Sequence, residues 1–213
     1  MFAAWTMLAQ DIGYLDLTDP FPRQAVRSAR HFEAGTCSPA ASPETTVTLM
    51  RLDKDSYAMG EQVTFEVKIE NSGKETIEIP WTPHLGDLEP LDAMQSYSYR
   101  SAAVVLALTI PESGHYLDLS SFSYGSLDLP GSTRELQPGR WLLVKARGKI
   151  DADNWWSEKF KESTPLNVKA TAALVLSATT YSPDGKGGSA VQKCLPMNRK
   201  TANQLDVTLW PRG

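Results

Sequence analysis

The segment Gln62-Val-Thr-Phe-Glu-Val-Lys-Ile-Glu70 alternates apolar and polar residues without a break. Val63, Phe65, Val67 and Ile69 fall on one side, and Thr64, Glu66, Lys68 and Glu70 on the other. A period of two puts these sets on opposite faces of a strand, so the segment belongs to a sheet with one dry and one wet face. Antiparallel sheets are built this way, whereas parallel sheets are covered on both faces by crossover helices.

The same period recurs down the chain. Thr46 to Asp53 carries it with a phase slip between Leu49 and Met50, the mark of a bulge. Ser101 to Ile110 sets Ala102, Val104, Leu106, Leu108 and Ile110 against Ser101, Ala103, Val105, Ala107 and Thr109. The second set is small and weakly polar, so that face needs a cover. Trp141 to Arg147, Val168 to Ala178 and Leu205 to Leu209 read as further strands. The turn Asn71-Ser-Gly-Lys74 and the strand Glu75 to Trp81 predict a hairpin over 62–81. The shared inward phase predicts a core of Val63, Phe65, Val67, Ile69, Leu106, Leu108, Leu174, Leu176 and Val207. Helical patterns are scarce; Arg23 to Phe32 is one short candidate, and Asp151 to Lys161 reads as a short helix or an ordered loop. Short strands separated by Gly/Pro turns, without helices between them, predict an all-β antiparallel sandwich over 45–213 with long inter-strand loops.

Composition excludes several classes. The net charge of -4 lacks the basic footprint of a nucleic-acid binder, so no nucleic-acid partner is expected. The longest apolar run inside the chain extends only from Ala102 to Leu108, far short of the roughly 20 residues of a membrane-spanning helix.

The stretch from Asp55 to Pro80 contains Tyr57-Ala-Met-Gly-Glu61 feeding a strand that ends in Asn71-Ser-Gly73, and Leu136-Gln-Pro-Gly139 precedes a later strand. These features resemble bacterial immunoglobulin-like and fibronectin-III-like modules, among them the proteinase-inhibitor domain BsuPI. The resemblance implies an immunoglobulin-like sandwich and points to adhesion, inhibition or assembly.

The N-terminal part differs in texture. Residues 1–10 are apolar and uncharged, ending in Ala9 and Gln10 like the back half of a secretory signal. Residues 11–44, broken by Pro20, Pro22, Pro39 and Pro43, read as an irregular arm. Export to the periplasm or the medium follows as the expected location. In such a compartment Cys37 of the arm and Cys194 near the C-terminus are expected to pair.

Chemistry is sparsely signalled. The three histidines are His31, His84 and His115, and no HExxH, GxSxG, P-loop or GxGxxG occurs, so neither enzymatic activity nor a cofactor is expected. His84, Asp87, Glu89 and Asp92 form the one constellation with ligands suited to a divalent cation; the alternative is a solvated loop. Trp81, Trp155 and Trp156 are candidate ligand-binding indoles, or plugs for the core. Tyr97, Tyr99, Tyr116 and Tyr124 punctuate Ser-rich segments of the kind that make adaptable binding surfaces, or ordinary β-edges. The expected function is a non-catalytic exported protein that binds or scaffolds a protein or carbohydrate partner. Alternatives are a carbohydrate- or peptide-binding accessory module, a hydrolase, and a proteinase inhibitor, which needs a rigid exposed loop such as one within 111–135.

Overall fold

The computed structural model describes residues 11–19, 32–33, 44–90, 95–151, 164–182, 189–194 and 201–211. The described chain is all-β apart from one 3-10 turn, Leu85–Asp87. A four-stranded sheet runs in the order β1 (Asp11–Leu17), β10 (Trp141–Lys149), β5 (Gln62–Asn71), β3 (Thr45–Leu52). The second sheet runs β2 (Phe32–Glu33), β12 (Ser189–Cys194), β11 (Leu166–Ser182), β13 (Leu205–Trp210), β4 (Ser56–Ala58). From β11 it also branches to β7 (Tyr97–Thr109) and on to β8 (Tyr116–Gly125). β6 (Ile77–Pro80) and β9 (Thr133–Leu136) form a small separate pair.

One hydrophobic core joins the two large sheets. Val63, Phe65, Val67 and Ile69 of β5 belong to the same buried cluster as Leu106 and Leu108 of β7, Leu174 and Leu176 of β11 and Val207 of β13. Every residue of the predicted core is buried. The expected bulge is present: the β3–β5 register shifts between Leu49 and Arg51, and Met50 turns out to solvent. At one edge β8 meets β10, where the Ser121 hydroxyl donates to the Arg147 carbonyl oxygen at 2.7 Å and accepts from the Arg147 amide at 3.1 Å. Gly148 permits this approach, since a Cβ there would lie 2.5 Å from that of Leu119.

Three expectations need correction. Pairing is mixed rather than antiparallel: β1 runs parallel to β10, β2 to β12 and β4 to β13. Each is an edge strand brought in from a distant part of the sequence, so no tight turn imposes an antiparallel direction. The hairpin over 62–81 does not form, because both edges of β5 are taken by β10 and β3, and β6 crosses over to pair with β9. The arm is not wholly irregular, since β1 adds Leu15 and Leu17 to the core. Of the helix expected over Arg23 to Phe32, Phe32 opens β2 and the rest lies outside the described residues. Most of the Asp151 to Lys161 candidate also lies outside them.

The Tyr-x-x-Gly-Glu segment is a side-chain-locked turn. The Tyr57 ring is buried, and its hydroxyl donates to Asp53 Oδ1 at 2.7 Å while accepting from the Lys54 amide at 3.0 Å. Burial pushes the phenol's pKa up, and the bond to Asp53 adds to this. Gly60 takes φ 89°, and Glu61 Oε2 accepts from the Ala58 amide at 2.9 Å. That amide bond, then Lys54, hold the Glu61 carboxyl below its ordinary pKa. A carboxyl depressed by folding stabilises above its unfolded pKa of about 4.3 and loses that contribution as pH falls through the folded value. Stability is therefore expected to drop on acidification below about pH 4.3, and Glu61→Gln to make that drop shallower in urea unfolding followed against pH.

The outer edge of β3 is blocked by side-chain chemistry. The Asn203 amide accepts from the Leu49 N–H at 3.0 Å and donates to the Leu49 carbonyl oxygen at 2.8 Å, copying a strand partner. Ala202 N donates to the Val47 carbonyl oxygen at 2.9 Å. Such a cover keeps an edge from pairing with other chains. Asn203→Ala is expected to cost about 1 to 2 kcal/mol and to raise aggregation on heating, read by denaturation and light scattering.

Candidate functional site

The turn that closes β5 is built around Asn71. Its side chain is buried and donates to the carbonyl oxygens of Glu75 (2.7 Å) and Leu136 (2.8 Å), while Oδ1 accepts from the Gly73 amide at 3.0 Å. These bonds throw the chain away from β5 and carry β6 toward the second sheet. Between this turn and the ends of β7 and β11 lies a cleft of about 690 Å³, within the size range of small-ligand pockets.

Ile77, Pro80, Leu176 and Ala178 supply much of the apolar lining of the cleft. Arg100 of β7 forms an ion pair with Glu78 of β6 in its wall. The Ser101 and Ser177 hydroxyls, 2.5 Å apart and buried, tie β7 to β11 beside it. Lys74, Glu75 and Glu44 are exposed at the rim. An apolar lining with one neutralised ion pair and a mixed-charge rim suits a ligand that is largely apolar and carries a few polar groups.

The outer face of the second sheet carries aromatic rings. Tyr97 and Tyr99 stack with centroids 6.0 Å apart, Tyr99 meets Tyr124 edge-on at 6.0 Å, and Phe122 stacks on Tyr124 at 6.4 Å. Burial pushes the Tyr99 and Tyr124 phenols up, so they stay protonated donors through neutral pH. Further along this face Ala103, Val105 and Ala173 are buried, in line with the need for a cover read from the sequence. The Tyr97, Tyr99 and Tyr124 candidates thus come together with Phe122, while Tyr116 sits exposed at the far end of β8.

The other candidates disperse. His84 Nε2 lies 3.2 Å from Asp19 Oδ2, and its Nδ1 is buried without a hydrogen-bond partner among the described residues. Glu89 accepts from the Tyr97 hydroxyl at 3.2 Å, Asp87 is exposed, and Asp92 lies outside the described residues. Among the described residues no three His, Cys, Asp or Glu side chains gather as metal ligands. Trp81 packs on the core with the Arg134 guanidinium 3.9 Å from its ring centroid, occupying a face that a sugar ring would use. Trp155, Trp156 and Cys37 lie outside the described residues, while Cys194 ends β12 opposite Ser177. Sequence reasoning missed the cleft, whose walls come from four distant segments; the Asn-x-Gly turn was its one local signal.

No family model and no curated protein matches the chain. Solved structures give weak similarities. The sporulation control protein Spo0M from Bacillus subtilis shows 14% identity and a TM-score of 0.24, over 71% of this chain and 48% of that one. The Pseudomonas fluorescens alkylpurine DNA glycosylase AlkC, bound to DNA containing an abasic site analog, shows 8% and 0.30, over 81% and 32%. AvmM, which catalyzes macrocyclization in alchivemycin A biosynthesis, shows 9% and 0.29, over 84% and 97%. The chain therefore spans less than half of the first and about a third of the second. Similarity at these TM-scores carries no argument about function.

Proposed function

We propose that this chain is a non-catalytic, exported binding module with an immunoglobulin-like sandwich fold, and that it receives a peptide segment of a protein partner in the cleft between the Asn71 turn and β7/β11. The observation that carries this reading is the cleft itself: about 690 Å³, apolar in its lining, with the Arg100–Glu78 pair set in its wall. Most ligand sites combine an apolar concavity with a few fixed polar groups. A peptide suits the rim, where Lys74, Glu75 and Glu44 offer both signs of charge. The net charge of -4 disfavours nucleic acid as the partner.

The test is selection of a random peptide library displayed on phage against the immobilised protein. Enriched peptides should bind the native protein and fail to bind Ala178→Trp, which fills the cleft. Absence of enrichment, or enriched peptides that bind the filled variant equally well, contradicts the reading.

Export is supported by the uncharged apolar segment Met1 to Gln10. In that compartment Cys37 and Cys194 pair across a long loop, and the bond is expected to contribute about 4 to 5 kcal/mol. Intact mass before and after alkylation checks the pairing, and denaturation with and without reductant checks its size. Two free thiols in protein purified from the periplasm count against the pairing.

A further inference from the structure

The loop between β8 and β9, Ser126-Leu-Asp-Leu-Pro-Gly-Ser132, holds two leucines in water: Leu127 is 62% exposed and Leu129 41%. The loop is braced from within. The buried Ser132 hydroxyl accepts from the Ser126 amide at 2.9 Å and lies 2.7 and 2.8 Å from the Ser126 and Leu129 carbonyl oxygens. The Ser126 hydroxyl accepts from the Asp128 amide at 3.2 Å, and the Ser132 amide donates to the Leu129 carbonyl oxygen at 3.2 Å. Gly131 takes φ 83°. A loop fixed by its own hydrogen bonds loses little conformational freedom on docking, so its exposed leucines are ready-made anchors.

The base of this loop adjoins the wall of the cleft. Gly125, just before the loop, is in register with Arg100, and a Cβ on it would lie 2.5 Å from the Ser132 carbonyl oxygen and 3.2 Å from Pro80 Cα. Pro80 and Arg100 both line the cleft. An apolar protrusion and an apolar cleft at one end of a molecule are self-complementary about a two-fold axis, because each copy offers the part that the other lacks.

We infer that two copies of this chain dock through this end, the Leu127/Leu129 loop of each entering the cleft of the other. The inference rests on the cleft being a peptide-binding site and names its occupant. The leucines supply the attraction. Asp128 between them finds Lys74 at the rim, while Glu44 and Glu75 flank it and Glu78 neutralises Arg100, so charge sets the register rather than the affinity. The carboxylate of Asp128 at the tip argues against a lipid bilayer as the occupant, because burying it there is costly.

Sedimentation equilibrium of the full chain over a wide concentration range tests this. The native protein should rise from the monomer mass of 23.4 kDa toward twice that value. The double variant Leu127→Asp, Leu129→Asp should self-associate about tenfold or more weakly, as expected on losing buried anchors, with an unchanged melting temperature at dilutions where both proteins are monomeric, because both positions are exposed. Ala178→Trp should also remain monomeric. A native protein that stays at the monomer mass throughout, or a double variant that associates as the native chain does, overturns the inference. If the native protein is monomeric while phage peptides still select on the cleft, the self-docking fails alone and the binding reading stands.

Discussion

Phe65→Ala is expected to lower the unfolding free energy by about 3 to 5 kcal/mol, read as a fall in the urea midpoint with little change in slope. Phe65 is 1% exposed and sits at the middle of β5, the strand held on both edges by β10 and β3. Its ring belongs to the cluster that joins the two large sheets, so the cavity left by truncation opens between layers that are already held apart by their other side chains. Neither sheet can collapse into it without breaking the ladders on either side, which places the cost in the upper part of the range for core truncations. A loss below about 1 kcal/mol, the size of an ordinary surface change, would contradict the burial of β5 between the sheets.

Asn71→Ala should cost about 3 kcal/mol. The substitution removes three side-chain hydrogen bonds at once and strands the buried carbonyl oxygen of Leu136 and the amide of Gly73. Leaving buried polar groups unpaired is the expensive part, since each had exchanged water for the Asn71 amide. Asn71→Asp separates the two halves of the interaction, because it keeps an acceptor for Gly73 and loses both donors. It should recover only part of the loss in chemical denaturation. As the same turn forms one wall of the cleft, Asn71→Ala should also weaken peptide binding by more than its exposed neighbour Ser72→Ala does.

The period-two signal was strong where one face is dry and the other wet, and β5 shows why. Each of Val63, Phe65, Val67 and Ile69 is buried, so the inward face read from the sequence and the one in the fold coincide. Periodicity carries no information about which strand pairs with which. The β5–β6 hairpin was the locally economical reading, but β10 and β3, distant in sequence, claim both edges of β5. Two of the three parallel edge strands were equally hidden, since β4 is three residues and β2 two, too short for any period. The Leu49/Arg51 bulge was legible because a slip in phase flips side chains between faces. Site residues were harder to read. The tyrosines of β7 and β8 share a face because Tyr97, Tyr99 and Tyr124 have the same parity in the paired register. His84 and Glu89 are neighbours in sequence, yet they turn to different partners, Asp19 and Tyr97.

If the chain is a peptide-binding module, its cleft must take up a peptide. Methyl-detected NMR on protein labelled at Ile, Leu, Val and Ala, titrated with pooled blocked leucine-containing tetrapeptides and separately with pooled gluco-oligosaccharides, reads this directly. The predicted result is a saturable shift of the Ile77, Leu176 and Ala178 methyl signals with the peptides, absent with the sugars. Silence of those three methyls in the peptide titration, or peptide shifts confined to the opposite aromatic face around Ala103 and Val105, would contradict it.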